Sequence, residues 1–577
     1  MGEAEMRDSL NYWQQRMASR QSRRQLLRAA GLGAGSLSAM ALLGCASQKT
    51  GSSSGAAQSP VAAGSPQSGG TFNTYANVNL GILDPQGGSA QSANGVFGPV
   101  YSHPLQFKAG LDEQTILGRE TLGEWAASAE SPDGQTWTLK IQPKAVFHNL
   151  PPVNGHAVES TDVKASFTRA FAKPENSYKS LYPMIDPAQI ETPVPDTVVF
   201  KLKYVYGPFK ETMAGSGVEL LPREALAGGY DPAKVMIGSG PFMLDSYTPD
   251  VAYVLKKNPT WYKQGLPYVD SVRGAIISDP AAALAQFTAG NLDELRPAPN
   301  DVNTAKQSAP KATVISQTNS TSYAFFGHMN DAASPWHDIR IRQAVSMAID
   351  RDTIKRVVLN NQATENQIVP KALGKWMLPV DKFGDAQQYY QYKPDEAKKL
   401  VQAASGGPQL TRFMSPAKNY GPAFDQMAET IVSMLNSAGF KIQLVPIDYT
   451  RDFIGGGKGA LYGNYPADAL VYSADALFAN AEETLASHFE SKSQRNKPQV
   501  SDPKVDEALA KMLSTLDDNQ RLQQALDIQK YLAGQIYQIS TYSDVVYTLL
   551  QPWVHNYYLG ESNQSARYAE PNLWLKK

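Results

Sequence analysis

The chain is poor in the residues that cross-link or bind metals. Its 577 residues include one cysteine, Cys45. That excludes an intrachain disulfide framework and any thiolate metal cluster. The seven histidines are scattered, with no H-E-x-x-H pair, and no G-x-x-x-x-G-K-[ST] phosphate loop occurs. His148 and His156 stand on either side of a proline-containing loop, and His328 and His337 flank an irregular stretch. Surface or loop packing is the reading for both pairs, because a metal site needs more ligands than either supplies. No catalytic constellation, metal site or cofactor site is expected. Gly51-Ser52-Ser53-Ser54-Gly55 matches the hydrolase pattern G-x-S-x-G in letters only, since a nucleophile elbow needs a strand before it and a helix after it. An excess of one charge is missing too. The formal net charge is −1, and without the six arginines and three acids of residues 1–44 it is −4. A near-neutral, slightly acidic surface argues against nucleic acid as a partner. There is no internal repeat of solenoid length.

What is present begins with an address. Residues 1–45 read as a targeting signal and are set aside from fold reasoning. Arg23 and Arg24 precede Leu26 and Leu27, and a weakly apolar stretch follows from Ala29 to Gly44. That stretch is shorter than the roughly 20 residues of a membrane-spanning helix. The arrangement resembles a twin-arginine export signal with Leu26 in place of the usual Phe; a Sec signal that carries two arginines is the alternative. Leu42-Leu43-Gly44-Cys45 resembles a bacterial lipobox, in which the cysteine is diacylated and becomes the first residue after cleavage. The expected location is extracytoplasmic, periplasmic or at the cell surface, with the membrane reached through lipid on Cys45. Residues 46–70 are rich in Ser, Gly, Ala, Gln and Pro. Such a segment cannot bury enough apolar surface to offset its chain entropy, so it reads as a flexible tether.

The remaining residues are too many for one core and imply two or more domains. Strand patterns alternate with helical ones. Thr71–Ala76 reads as a first strand, Gln135–Ile141 as another after the turn Ser131-Pro132-Asp133-Gly134, and Val198–Lys203 as a third. Asp338 caps a helix whose apolar face is Ile341, Ala344, Val345, Ala348 and Ile349, and Asp350 caps the next. Asp502 and Pro503 open a helix with the stripe Val505, Ala508, Leu509, Met512 and Leu513, and a further helix runs from about Asn519 to Gly534. The mixture predicts α/β lobes. Twenty-eight tyrosines and eight tryptophans suit ligand clefts, where a large ring keeps a polar handle, although most serve the core.

An ordered series of segments resembles one family. It begins with Gly69-Gly70-Thr71-Phe72, Leu83-Asp84-Pro85, Val100-Tyr101-Ser102-His103-Pro104-Leu105 and Leu122-Gly123-Glu124-Trp125. Ser131–Lys140, Val146-Phe147-His148-Asn149 and Thr161–Phe167 follow. Ile237-Gly238-Ser239-Gly240-Pro241-Phe242, Lys257-Asn258-Pro259-Thr260-Trp261-Tyr262, Ala289-Gly290-Asn291-Leu292-Asp293 and Asp338–Ala344 with Ala348-Ile349-Asp350-Arg351 continue it. Asp517, Arg521 and Gln529 close it. The series resembles extracytoplasmic solute-binding proteins of family 5, the peptide/nickel or oligopeptide-binding type of ABC importers. Two departures stand out. The loop Phe147–Val163 is longer than the family's, and the late W-x-x-D-Y-like segment is replaced by Leu470–Phe478, without tryptophan.

The resemblance implies a two-lobed α/β fold of the periplasmic-binding-protein type (type II, large cluster), with the ligand cleft between the lobes. Lobe I would span 71–320 with a subdomain inserted at about 115–235, lobe II 321–540, and 541–577 would return to lobe I. It implies a monomer that is not an enzyme. By hinge closure it would capture an oligopeptide or similar solute and deliver it to ABC permease subunits in the membrane. Oligosaccharide or metal chelate as cargo is an alternative, and an exported hydrolase on the same scaffold is a rival of another class. Expected ligand contacts are Tyr75 on the first strand, Phe325 near a lobe crossing, and Tyr472, Asp475 and Phe478 in the late segment. For Asp475 two readings stand: a charged ligand contact, or the cap of a short helix.

Overall fold

The computed structural model describes residues 65–87, 94–111, 118–172, 182–215, 218–365, 367–404, 410–455, 458–475, 480–560 and 565–576. Arg23, Arg24, Cys45, nearly all of the tether and Phe478 lie outside them. Among the described residues no helix is long and apolar enough to cross a membrane.

The first strand, β1 (Thr71–Ala76), buries Phe72 and Thr74 and leaves Asn73 and Tyr75 half-buried, the period of two that a pleated strand imposes. The chain then builds a separate four-stranded antiparallel sheet from β2 (Ala126–Glu130), β3 (Thr136–Ile141), β4 (Ile190–Val194) and β5 (Thr197–Lys201), in the order β2-β3-β5-β4. Helix α1 (Ser160–Ala172) packs on it. In β3, Trp137, Leu139 and Ile141 face a core drawn from Leu105 to Ile237, and Trp137 stacks on Phe209 of α2 (Phe209–Ala214) at 4.7 Å. The turn before β3 is fixed by Asp133, whose carboxylate accepts from the amides of Gln135 and Thr136, while Gly134 takes a positive φ of 70°.

The chain returns to β1 through β6 (Phe242–Thr248), β7 (Ala252–Lys257) and β8 (Ser271–Ile276), giving a sheet in the order β1-β8-β7-β6 with β1 and β8 parallel. The turn ahead of β6 explains Gly238 and Gly240. A Cβ on either would overlap a backbone carbonyl, Val100 or Pro99. His148, fully buried, accepts at Nδ1 from the Gly238 amide and donates from Nε2 to the Gly240 carbonyl. Burial pulls its pKa down to about 4, so it is a neutral staple for the long loop. This sheet shares a core with Leu550–Leu575 from the C-terminal return.

The largest core, drawn from Ala324 to Tyr542, belongs to a seven-stranded sheet. Its strands are β9 (Glu294–Leu295), β10 (Thr313–Phe326), β11 (Ala363–Glu365), β12 (Leu410–Pro416), β13 (Lys441–Ile447), β14 (Ala469–Asp475) and β15 (Gln538–Leu550), in the order β9-β15-β10-β14-β12-β13, with β11 beside β15. Helix α3 (Ile339–Met347) starts where Asp338 accepts from the Arg340 amide at 2.9 Å. Arg342 on it binds the carbonyls of Trp336, His337 and Gln535. Helix α4 (Pro422–Ser437) buries Phe424, Met427, Ala428, Ile431, Val432 and Leu435. That is one stripe at helical spacing, and each larger apolar side chain contributes about 1.5–3 kcal/mol. Helices α5 (Ala481–Phe489), α6 (Pro503–Ser514) and α7 (Asp518–Gln535) complete this body. Asp502 caps α6 and Asp517 caps α7.

Candidate functional site

Strands β10 and β15 are long enough to belong to both bodies. The Thr313–Thr318 half of β10 pairs with Val545–Leu550, and β9 lies beside the same end of β15. The Tyr323–Phe326 half pairs with Gln538–Ser540 on one side and Leu470–Ser473 of β14 on the other. Between the halves the register shifts twice, at Thr318/Thr321 and at Thr321/Tyr323. Broken register forfeits ladder bonds and lets a strand pair bend. The two bodies are thus joined by a hydrogen-bonded pair of strands with a built-in flexure.

On the N-terminal side of this crossing, β1 and β9 form one wall. Asp293 holds it together. Its carboxylate accepts from the Asn73 amide at 2.6 Å and from Trp553 Nε1 at 2.7 Å, and its carbonyl accepts from the Gln551 amide. Next to it Glu294 accepts from Thr74, Arg296 and Tyr557. Glu294 holds the guanidinium of Arg296 above its ordinary range. Tyr75 lies here: its hydroxyl donates to the Arg296 carbonyl at 3.0 Å, and its ring packs with a small cluster around Phe287 and Leu549.

On the other side, alternation along β10 and β14 separates the predicted residues. Phe325 pairs with Val471 and Gln538, and Tyr323 with Ser473 and Ser540. Phe325, Tyr323 and His488 of α5 form a trio of rings with centroids 5.5–5.7 Å apart, and the Lys497 ammonium sits 4.2 Å from the Phe325 centroid. Tyr472 is on the opposite face. It is fully buried, stacked on Phe424 at 4.4 Å and tilted against Phe413 at 5.6 Å. The expectation that Tyr472 meets a ligand beside Phe325 is corrected: successive strand residues face opposite ways, and position 472 falls to the core. Asp475 ends β14 opposite Thr321. The next described helix is capped by Asn480, whose side chain accepts from the Glu483 amide at 2.7 Å, and residues 476–479 lie outside the described ones. Among residues the sequence reading passed over, Arg296, Tyr323, His488 and Lys497 flank the crossing. Nothing local in the sequence brings 325, 488 and 497 together.

The subdomain also meets the large body away from the crossing. The Gly207 amide donates to the Leu513 carbonyl at 2.7 Å, and Asn480 Nδ2 donates to Thr212 Oγ1 at 3.2 Å. Arg521, one of the family markers, is fully buried in this seam. Its Nε donates to Glu482 at 2.6 Å, Nη2 donates to Asp518 at 2.8 Å and lies 3.6 Å from Glu211, and Nη1 donates to the Thr515 and Leu516 carbonyls. Burial raises Glu482 to about 7 despite Arg521, and it raises Glu211 as well. For Arg521, burial opposes the charge, but Glu482 and Glu211 outweigh it and the pKa is raised. Beside the seam lies a cavity of about 620 Å³ lined by Trp137, Glu130, Lys210, Glu211, Asp517 and Asp518 among others.

Comparison with known proteins gives a consistent result. The model of the bacterial extracellular solute-binding proteins, family 5 (middle) matches residues 121–492. A putative ABC transporter peptide-binding protein of Brucella ovis is 30% identical over 301 residues, 49% of this chain and 52% of that protein. The chain therefore spans about half the length of these first curated relatives. The probable D,D-dipeptide-binding periplasmic protein of Escherichia coli K12 is 25% identical over 450 residues, 75% of this chain and 80% of that protein. Among solved structures, the periplasmic binding protein AgaA of A. tumefaciens R10, in complex with agropinic acid, superposes with a TM-score of 0.72 at 20% identity, covering 88% of this chain and 99% of that one. The periplasmic binding protein DppA of Helicobacter pylori, in complex with the peptide STSA, gives 0.71 at 18% identity, with 89% and 99% covered. At these identities the likeness carries the fold: the two-lobed periplasmic-binding-protein architecture.

Proposed function

Because the chain belongs to the family 5 bacterial extracellular solute-binding proteins, we propose that it is the lipid-anchored capture subunit of an ABC-type importer and closes around a peptide or similar solute. The observation that carries this reading is the paired crossing of β10 and β15 with its broken register. It supports a hinge, and hinge closure is how two lobes enclose a solute and present a new face to a permease. In this reading lobe I comprises 71–320 with the insert at 115–235, lobe II comprises 321–540, and 541–577 returns to lobe I. A bound solute favours the closed form only through contacts it makes there and not in the open form.

In this reading the cleft is walled by Tyr75 and Arg296 from lobe I and by the Phe325 region from lobe II, and Asp475 and Phe478 are proposed as further ligand contacts. Arg296 suits a carboxylate and Asp475 an ammonium, the two ends of a peptide; a hydroxylated or chelating solute uses the same groups less fully. Peptide is also named for the relatives from Brucella ovis and Escherichia coli. A diacylated Cys45 with a flexible tether keeps the mature protein at high local concentration near its permease.

Mass spectrometry of solute released from the purified mature protein tests the reading. A peptide, recovered in about one-to-one ratio and rebinding in calorimetry, supports it. Recovery of a sugar or a metal chelate overturns the peptide assignment, and turnover of a released solute overturns the binding-protein reading.

A further inference from the structure

The seam between the subdomain and lobe II joins two bodies that β10 and β15 also link. We propose that it is a latch, with Arg521 as its positioning residue, that holds the lobes closed. The inference rests on the hinge reading above, because only a molecule that opens has a use for a latch.

Four contacts line up along the seam. Gly207 brings its backbone against the Thr515 carbonyl so closely that a Cβ would overlap it, and its amide donates across to Leu513. Leu516, still exposed, reaches Gly134 so closely that a Cβ there would overlap it. Asn480, the cap of α5, reaches Thr212. Glu211 faces the Arg521 guanidinium at 3.6 Å. Arg521 itself is anchored within lobe II by Glu482, Asp518 and the carbonyls of Thr515 and Leu516. Its planar fork is therefore pre-organised before the lobes meet, and Glu211 is the group that arrives. Closing then costs little side-chain entropy on the lobe II side. Opening leaves the guanidinium with its lobe II partners intact, so the cation is not stranded. That is what a reversible latch requires, since breaking a buried pair by stranding one partner is strongly unfavourable. The contacts are mixed: one backbone bond, one apolar plug, one neutral side-chain bond and one ion pair. No single one dominates, which keeps the seam separable.

The consequence is that the closed population without solute is a property of the latch. Solute affinity then includes the latch as a separate contribution.

Hydrogen exchange of the Gly207 amide, resolved by fragmentation mass spectrometry on the mature, solute-free protein, reads the seam directly. Wild type should protect it. Glu211→Gln, which keeps the shape and removes the arriving charge, should lower protection roughly tenfold, one decade in the closing equilibrium. Leu516→Ala should lower it also, by removing the apolar plug. Amides of α4 should be unchanged in both, which separates opening from unfolding. Unprotected Gly207 in the wild type overturns the latch and leaves the hinge standing. Protection lost only together with α4, in wild type and both variants, overturns the hinge and the latch with it. Equal protection in wild type and both variants, with α4 slower still, overturns the role of the named contacts.

Discussion

Glu482 gives a pH dependence whose sign and size follow from its surroundings. Its carboxyl is fully buried on α5; one oxygen accepts from Arg521 and the other has no partner among the described residues. Burial, the largest influence, raises its pKa from 4.5 to about 7; Arg521 opposes the rise and Glu211 adds to it. Between these two values the folded protein keeps a proton that the unfolded chain has released. Stability must therefore fall as pH rises through that window. The contribution is fully present below the unfolded value and gone above about 7. At 1.36 kcal/mol per unit the loss is about 3 kcal/mol. Glu482→Gln fixes the neutral form and should remove this slope. Urea titration of wild type and variant in parallel at several pH values isolates the effect, because the difference between the two curves cancels every group except Glu482 and those coupled to it. Glu211 and Asp518 share the Arg521 guanidinium, so the apparent midpoint belongs to the cluster. The difference in stability, variant minus wild type, should grow by about 3 kcal/mol from the acid end of the window to the neutral end. Parallel curves would refute the argument, for they would mean that Glu482 stays ionised throughout and that Arg521 fully offsets its burial.

Other outcomes follow from single contacts. Tyr472→Ala should destabilise the protein by about 3–5 kcal/mol, the cost of emptying a large core site, while solute affinity in the folded fraction stays at the wild-type value; a folded variant that has lost affinity would restore Tyr472 to the cleft. Asp475→Ala should weaken binding of the released solute by about ten- to a hundredfold, one charge-assisted bond of about 1.5–3 kcal/mol, with an unchanged melting temperature in a parallel scan; unaltered affinity would sink its ligand role. Cys45→Ser should move the protein from the membrane fraction to the soluble one and abolish incorporation of a labelled fatty acid; a variant that still sediments would show another anchor. Arg23→Lys with Arg24→Lys should stop export if the twin-arginine route is obligatory, and normal export would point to Sec.

Much of the fold was legible because it is encoded locally. The caps at Asp338, Asp350 and Asp502 each accept from an amide within three residues, and a run of a few letters is enough to read them. Gly238 and Gly240 were readable as a turn, although the carbonyls that demand glycine belong to a distant helix. The site was legible only in part, for two physical reasons. Strand parity turns on one residue: the late segment was read as a ligand loop and is a strand to Asp475, Tyr472 and Ser473 face opposite ways, and sequence alone did not say which faced the core. Contacts that join remote segments leave no local trace. Arg521 stood out as a family marker, but its partners at Glu211 and Glu482 come from a subdomain and a helix far along the chain. Asp475 reads as a cap or a ligand contact from Ser-Ala-Asp alone; β14 extends to it, and the next described helix takes its cap from Asn480.

The paired crossing also decides which motions are open to the molecule. Two strands bonded to each other on both sides of a break cannot slide lengthwise without surrendering ladder bonds in both halves, each about 0.5–1.5 kcal/mol. They can turn at the break, where the register is irregular. The joint is therefore stiff in translation and compliant in rotation, like a paired leaf flexure in an instrument. Motion is reduced to one angle. A gripped solute and the seam then report on the same coordinate, so a change at either one is read at the other.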